Sequence, residues 1–277
     1  MKKTIQRALL FCLASIAAAA AWAADSVAFF SNIKGDVAVD GAKPQLLAEL
    51  SRGQKLTLGK DAMASVMFIA SGKEFPLKGP GEFVVQDAGL APSSGGAAPA
   101  ARVTEWRAST RVLGQVSQTS AASVRMRSVP PPKPPPPALL FPTQGNIANL
   151  QPTFRWSDPG PAMVTLSVAG SDKPVITGKT STNSYRVPAK LKPDTDYTWV
   201  VKSGDKELGT GKFRTLPNEA VQRAEKRKPG EKAEFSDRLM YALMLQDLGA
   251  VQEAQEQWAQ LSRERADLPE LAGFAGK

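Results

Sequence analysis

Between residues 139 and 217 apolar and polar side chains alternate with a period of two, over 153–156, 163–168, 175–177, 185–187, 197–202 and 212–215. Successive side chains of a strand point to opposite faces, so this alternation predicts half-buried strands. Turn residues separate the runs at Asp158-Pro159-Gly160, Gly170-Ser171-Asp172 and Ser203-Gly204-Asp205. About seven short strands divided in this way predict an antiparallel two-sheet sandwich. Upstream, shorter β-rich runs at 27–33, 37–39, 55–58, 64–69 and 83–85 are divided by Gly35, Gly41, Gly53, Gly59, Gly72, Gly79 and Gly81, the pattern of a small all-β module. After 217 the chain turns to Glu, Gln, Ala, Leu, Lys and Arg, all good helix formers. Three helices are predicted there: one opened by Asn218 and ended before Pro229-Gly230, one from about Ser236 to Leu248 closed by Gly249, and one from Ala250 to about Arg265. The expected fold class is mainly β with an α-helical C-terminal tail.

Composition sets the boundaries. Residues 88–101 carry no charge and only Leu90 as a large apolar side chain, too little buried surface to offset their ordering entropy, so a flexible loop is expected. Residues 129–138 hold seven prolines, whose fixed φ favours an extended, semi-rigid spacer. At the amino end Lys2, Lys3 and Arg7 precede an apolar stretch over 8–21, and Ala21-Trp22-Ala23 places small residues at both positions a signal peptidase reads. That stretch is shorter than the roughly 18 residues a membrane-spanning helix needs. The expected organisation is a signal peptide at 1–23, a β domain at 24–128 with its loop at 88–101, a linker at 129–138, a sandwich at 139–217 and a helical segment at 218–277. The β modules have their own turns and cores, so their folding is expected not to depend on the tail.

Charge and missing residue types narrow the chemistry. The net charge of +9 includes Lys2, Lys3 and Arg7, and without those three cations it is +6. Leader cleavage also removes Cys12, the sole cysteine, and the chain has no histidine. Disulfides, thiolate nucleophiles, Cys/His metal sites and histidine acid–base catalysis are thereby excluded. Asp194, Asp196, Asp205 and Glu207 fall in turns of a small sandwich, where no deep cleft is expected to bring two carboxylates onto one substrate. The expected protein is not an enzyme and carries no metal and no other cofactor. In an exported protein a modest cationic surplus points to cell-wall polymers and lipid head groups before nucleic acid, and no stretch after the leader has the length and apolarity of an integral membrane span.

Three resemblances rest on particular residues. Gly35-Asp36-Val37-Ala38-Val39, Leu50-Ser51-Arg52-Gly53-Gln54-Lys55-Leu56, Ser65-Val66-Met67-Phe68 running to Gly72, and Leu77-Lys78-Gly79-Pro80-Gly81 resemble the strand and turn pattern of FecR-type domains. That resemblance implies envelope sensing or binding; the membrane helix of the best-known members is missing here, so their regulatory role is not carried over. Leu191-Lys192-Pro193-Asp194-Thr195-Asp196-Tyr197, with Trp199, Trp156 and Phe213-Arg214-Thr215, resembles a fibronectin type III domain. It implies a tyrosine corner, in which the Tyr197 hydroxyl bonds to nearby backbone. Tyr241, Ala242, Leu245, Gly249, Ala254, Trp258 and Leu261 resemble one tetratricopeptide unit.

These readings define the candidate residues. Arg102, Arg107, Arg111, Arg125 and Arg127, with Trp106 among them and only Glu105 as counter-charge, are a candidate contact for an anionic cell-wall polymer; a solvated face, with a last strand at 121–127, is the alternative. Glu253, Glu256 and Arg263 are candidate outward positions for an envelope protein partner. Trp156, Tyr197, Trp199 and Trp258 are expected in the core. The function expected is that of a periplasmic or secreted binding or adaptor protein, with a FecR-related component of an envelope signalling system as the alternative. A tagged chain is expected to fractionate with the periplasm and to begin at Ala24 or a near neighbour; N-terminal sequencing that finds Met1 in a membrane fraction contradicts this.

Overall fold

The computed structural model describes residues 26–93, 98–104 and 139–275. The protein is mainly β, with four helices at its C-terminal end. The expected leader at 1–23, the expected linker at 129–138, the expected strand at 121–127 and Arg107, Arg111, Arg125 and Arg127 lie outside the described residues.

The first module is built from two sheets. One runs in the order β3 (Glu49–Ser51), β1 (Ser26–Lys34), β5 (Met63–Phe68), β6 (Lys73–Lys78), β9 (Arg102–Val103); the other runs β2 (Val37–Val39), β4 (Lys55–Leu58), β7 (Gly81–Val85), β8 (Leu90–Pro92). Phe30, Leu50, Leu56, Leu58, Val66, Phe68 and Leu77 fill the space between them. Strand β8 falls inside the segment expected to be a flexible loop: it pairs with β7, and Leu90 enters the core. One large apolar side chain on a paired edge is enough to order these three residues. Gly79 is where the chain crosses itself, since a Cβ there would lie 2.0 Å from the Gly59 carbonyl oxygen.

The apolar runs of β1 and β5 do not alternate, because both faces of this sheet are covered. Phe30 and Val66 point into the module, while Phe29 and Met67 point outward and are also fully buried. Their cover is the helical tail: α1 (Asn218–Arg227), α2 (Phe235–Asp247), α3 (Val251–Glu264) and the short α4 (Glu270–Phe274). Pro217, not Asn218, precedes the first helical turn, and no side-chain cap is made there. Gly249 adopts φ 79° between α2 and α3, the left-handed closure that glycine permits without strain.

The second module is a sandwich. Its three-stranded sheet runs β10 (Leu139–Phe141), β12 (Thr153–Trp156), β15 (Ser184–Arg186). Its five-stranded sheet runs β11 (Asn146–Ile147), β17 (Lys206–Thr215), β16 (Asp196–Ser203), β13 (Ala162–Val168), β14 (Pro174–Thr180). Trp156, Tyr197 and Trp199 are buried between them; Phe154 stacks on Trp199 with ring centroids 4.6 Å apart, and the Trp199 indole N–H donates to the Pro142 carbonyl at 2.8 Å. Beside this core the Lys192 amide donates to the Tyr197 hydroxyl at 3.0 Å, fixing the corner between β15 and β16. Tyr197→Phe leaves that amide without its acceptor, and a loss of about 1–3 kcal/mol is expected in urea unfolding of the full chain. An unchanged midpoint would show that the corner bond contributes nothing.

Candidate functional site

The tail is joined to both β modules by one apolar cluster and by polar bonds around its rim. Phe29, Leu46, Leu47 and Met67 of the first module and Ala148, Leu150 and Leu216 of the second belong to the same cluster as Leu239, Leu243, Trp258, Leu261 and Leu271 of the helices. Trp258 is its largest side chain, tilted against Phe274 with centroids 5.0 Å apart, and its indole N–H donates to Gln246 Oε1 at 3.2 Å. The expected independence of the β modules from the tail is thereby corrected. Removing residues after 217 would bare apolar side chains on both modules, at roughly 25 cal/mol per Å² of exposed apolar surface.

On the first module's side Arg102 is the hub. Its guanidinium donates to Asp237 Oδ2 at 2.9 Å, to Ser236 Oγ at 3.0 Å and to Glu74, with which it is ion-paired. Glu74 is 2 % exposed and also accepts from Ser31 Oγ at 2.6 Å. The hydrogen bond to Asp237 is the largest cause holding the Arg102 guanidinium above its ordinary value, with burial opposing it and Glu74 adding to it. As a candidate contact for an anionic polymer Arg102 is therefore corrected: two carboxylates already neutralise it. The same side is fastened by Arg265, which donates to Asn32 Oδ1 at 2.7 Å and to the Ile33 carbonyl, and by Glu270, which accepts from the Leu46 amide at 2.9 Å.

On the sandwich side Glu253 accepts from the Ala148 and Asn149 amides at 2.5 and 3.0 Å, and Gln252 both accepts from the Thr143 amide and donates to its hydroxyl at 2.8 Å. Glu256 is ion-paired with Arg155, and Lys190 with Glu225 at 3.1 Å. Glu253 and Glu256, expected on an outward partner face, are thus turned onto the sandwich; of the three proposed positions Arg263 is exposed to solvent. Their long side chains reach past the apolar seam to groups on the neighbouring module. Burial raises the Glu253 carboxyl above its ordinary value against the opposing pull of the two amides, and burial pushes Tyr241 up to about 12, with the charge of Glu253 adding to it.

Between these seams the α2 helix is left facing a cleft. Asp237, Met240, Tyr241 and Met244 recur at the spacing of a single helix face and line a cavity of about 390 Å³, walled by β9 and by the end of α1. Tyr241 also lines a second cavity of about 330 Å³ against the three-stranded sheet, with Arg155, Glu253 and Lys228. Strand β9 pairs only with β6 among the described residues and lines the cleft through Arg102 and Val103, the latter 73 % exposed. Met240 and Met244 are themselves buried in the seam, so the cleft's accessible apolar lining is Val103 with part of Tyr241. Among the described residues no three carboxylates converge to hold a metal ion. Compared with known proteins, the chain matches no family model and no curated protein sequence.

Truncating Arg102 to Ala strands the buried Glu74 carboxylate. A loss of about 2–3 kcal/mol is expected, less than for a fully buried pair because Arg102 is 39 % exposed. Restoring neutrality with Arg102→Ala/Glu74→Gln should recover part of it in a double-mutant cycle, and strictly additive losses would sink the coupling.

Proposed function

We propose that the protein is a non-catalytic binding or adaptor protein of the cell envelope, exported by its leader, with a FecR-like and a fibronectin type III-like module held in one body by the helical tail. The observation that carries this reading is the cleft along α2. The tail spends its flanks on the two β modules, and the half-buried Tyr241, with the buried Met240 and Met244 beneath it, lines the cleft beside β9, which pairs only with β6 among the described residues. An extended apolar segment of an envelope protein partner would add its backbone to that strand and seat alternate side chains against α2. The exposed lysines on the outer face of the sandwich's five-stranded sheet are the surface this reading offers to cell-wall polymer.

Val103 allows a test that spares the core, because a substitution at so exposed a position changes stability by about 0.5 kcal/mol or less. Val103→Glu is expected to leave the melting temperature unchanged while abolishing recovery of the partner from an envelope extract. Equal recovery by the wild type and the variant would remove the cleft from the binding reaction.

A further inference from the structure

The five-stranded sheet of the sandwich has an outer face that no part of the described chain covers. Alternation puts Trp199, Tyr197 and Phe213 inside and leaves hydroxyls and lysines outside. The cross-strand register lines up Thr177 with Thr165, and Thr165 with Val200, on β14, β13 and β16. The neighbouring rows place Met163 between Lys179 and Lys202, and Thr198 opposite Lys212. Lys179, Lys202 and Lys212 are exposed and make no ion pair among the described residues. At one margin Arg214 bonds Asp194 and Asp196 at 2.9 and 2.8 Å, and Glu207, the cross-strand partner of Lys202, accepts from Thr210 Oγ1 at 2.7 Å, while Lys179 and Lys212 have Met163 and Thr198 opposite them.

We infer that this face binds a linear polysaccharide bearing carboxylate or phosphate groups. The inference rests on the reading of the chain as an envelope binding protein and names the polymer and the surface. Each hydroxyl both donates and accepts, as sugar hydroxyls require. Lys179 and Lys202 sit two strand spacings apart, about 10 Å, the span of two sugar rings. With every aromatic ring of the sandwich strands turned inward, the face has no platform on which nucleic acid bases stack. Its exposed large apolar members are Met163 at 38 % and Val175 at 52 %, scattered among lysines and threonines rather than gathered into the apolar stripe of a membrane-inserting surface. Charge therefore supplies the affinity, and hydroxyl pairing supplies the preference for sugar over lipid.

The test titrates the full exported chain with polygalacturonate, with dextran as the uncharged control and phosphatidylglycerol vesicles as the lipid control. Polygalacturonate is expected to bind, with affinity falling as salt rises, and dextran is expected not to. Lys179→Glu/Lys202→Glu/Lys212→Glu should weaken binding at least tenfold at unchanged melting temperature. Should the triple variant unfold, Thr165→Val/Thr198→Val, which keeps β-branched residues on the sheet, is expected to weaken polygalacturonate binding and leave any vesicle association unaltered. No binding of polygalacturonate, dextran binding as tight, vesicles bound as tightly, or variants within twofold of wild type would each overturn the assignment. Recovery of the protein partner that still depends on Val103 would then show that the adaptor reading survives without it.

Discussion

The fold depends on burying the outer face of the β1–β5 sheet. Phe29 and Met67 leave that sheet apolar on both sides, and a sheet with two apolar faces must be covered twice. The second β sheet of the module supplies one cover and the helices supply the other. The helices in turn have more apolar surface than the first module can hide, and Ala148, Leu150 and Leu216 of the sandwich take the remainder. The β modules are joined through this one apolar seam although the sequence is divided into unlike parts.

The rim of the seam is polar and directional. Glu74, Arg102 and Asp237 close one side, and Glu253 with the Ala148 and Asn149 amides closes the other. Apolar packing alone would tolerate sliding of the helices over the sheets. A buried carboxylate that loses its partner is costly, so these bonds fix the angle at which the tail sits and with it the width of the cleft.

The elements with strong local signals were legible from the sequence: the alternating strands of the sandwich, the Leu191–Tyr197 corner and the helices around Gly249. Strand β6 was not, because Pro76 interrupts its run, and β8 was not, because Leu90 is its single large apolar side chain. The consecutive apolar residues 27–30 and 66–69 signal strands covered on both faces, which a reading of strand count alone passes over. The site was less legible. A helical periodicity identifies the apolar side of α3 but not where Glu253 and Glu256, flanking it, will reach. Nor does charge counting along 102–127 reveal that Arg102 meets Glu74 and Asp237, 28 and 135 residues away. The lysines at 179, 202 and 212 stood in view as the polar half of the alternation, and only the register of four strands brings them onto a shared surface.

The bonds that tie the ends of the chain together also order events in time. The Leu46 amide meets Glu270, and the Ile33 carbonyl meets Arg265, partners 224 and 232 residues apart. During synthesis, and during any passage across a membrane as an extended chain, Phe29 and Met67 therefore emerge long before the helices that will cover them. The first module must wait with a sticky face bare until the last sixty residues arrive, a non-local closure of the kind that slows folding and invites misassembly. Any fragment that ends before those residues leaves Phe29 and Met67 without their cover.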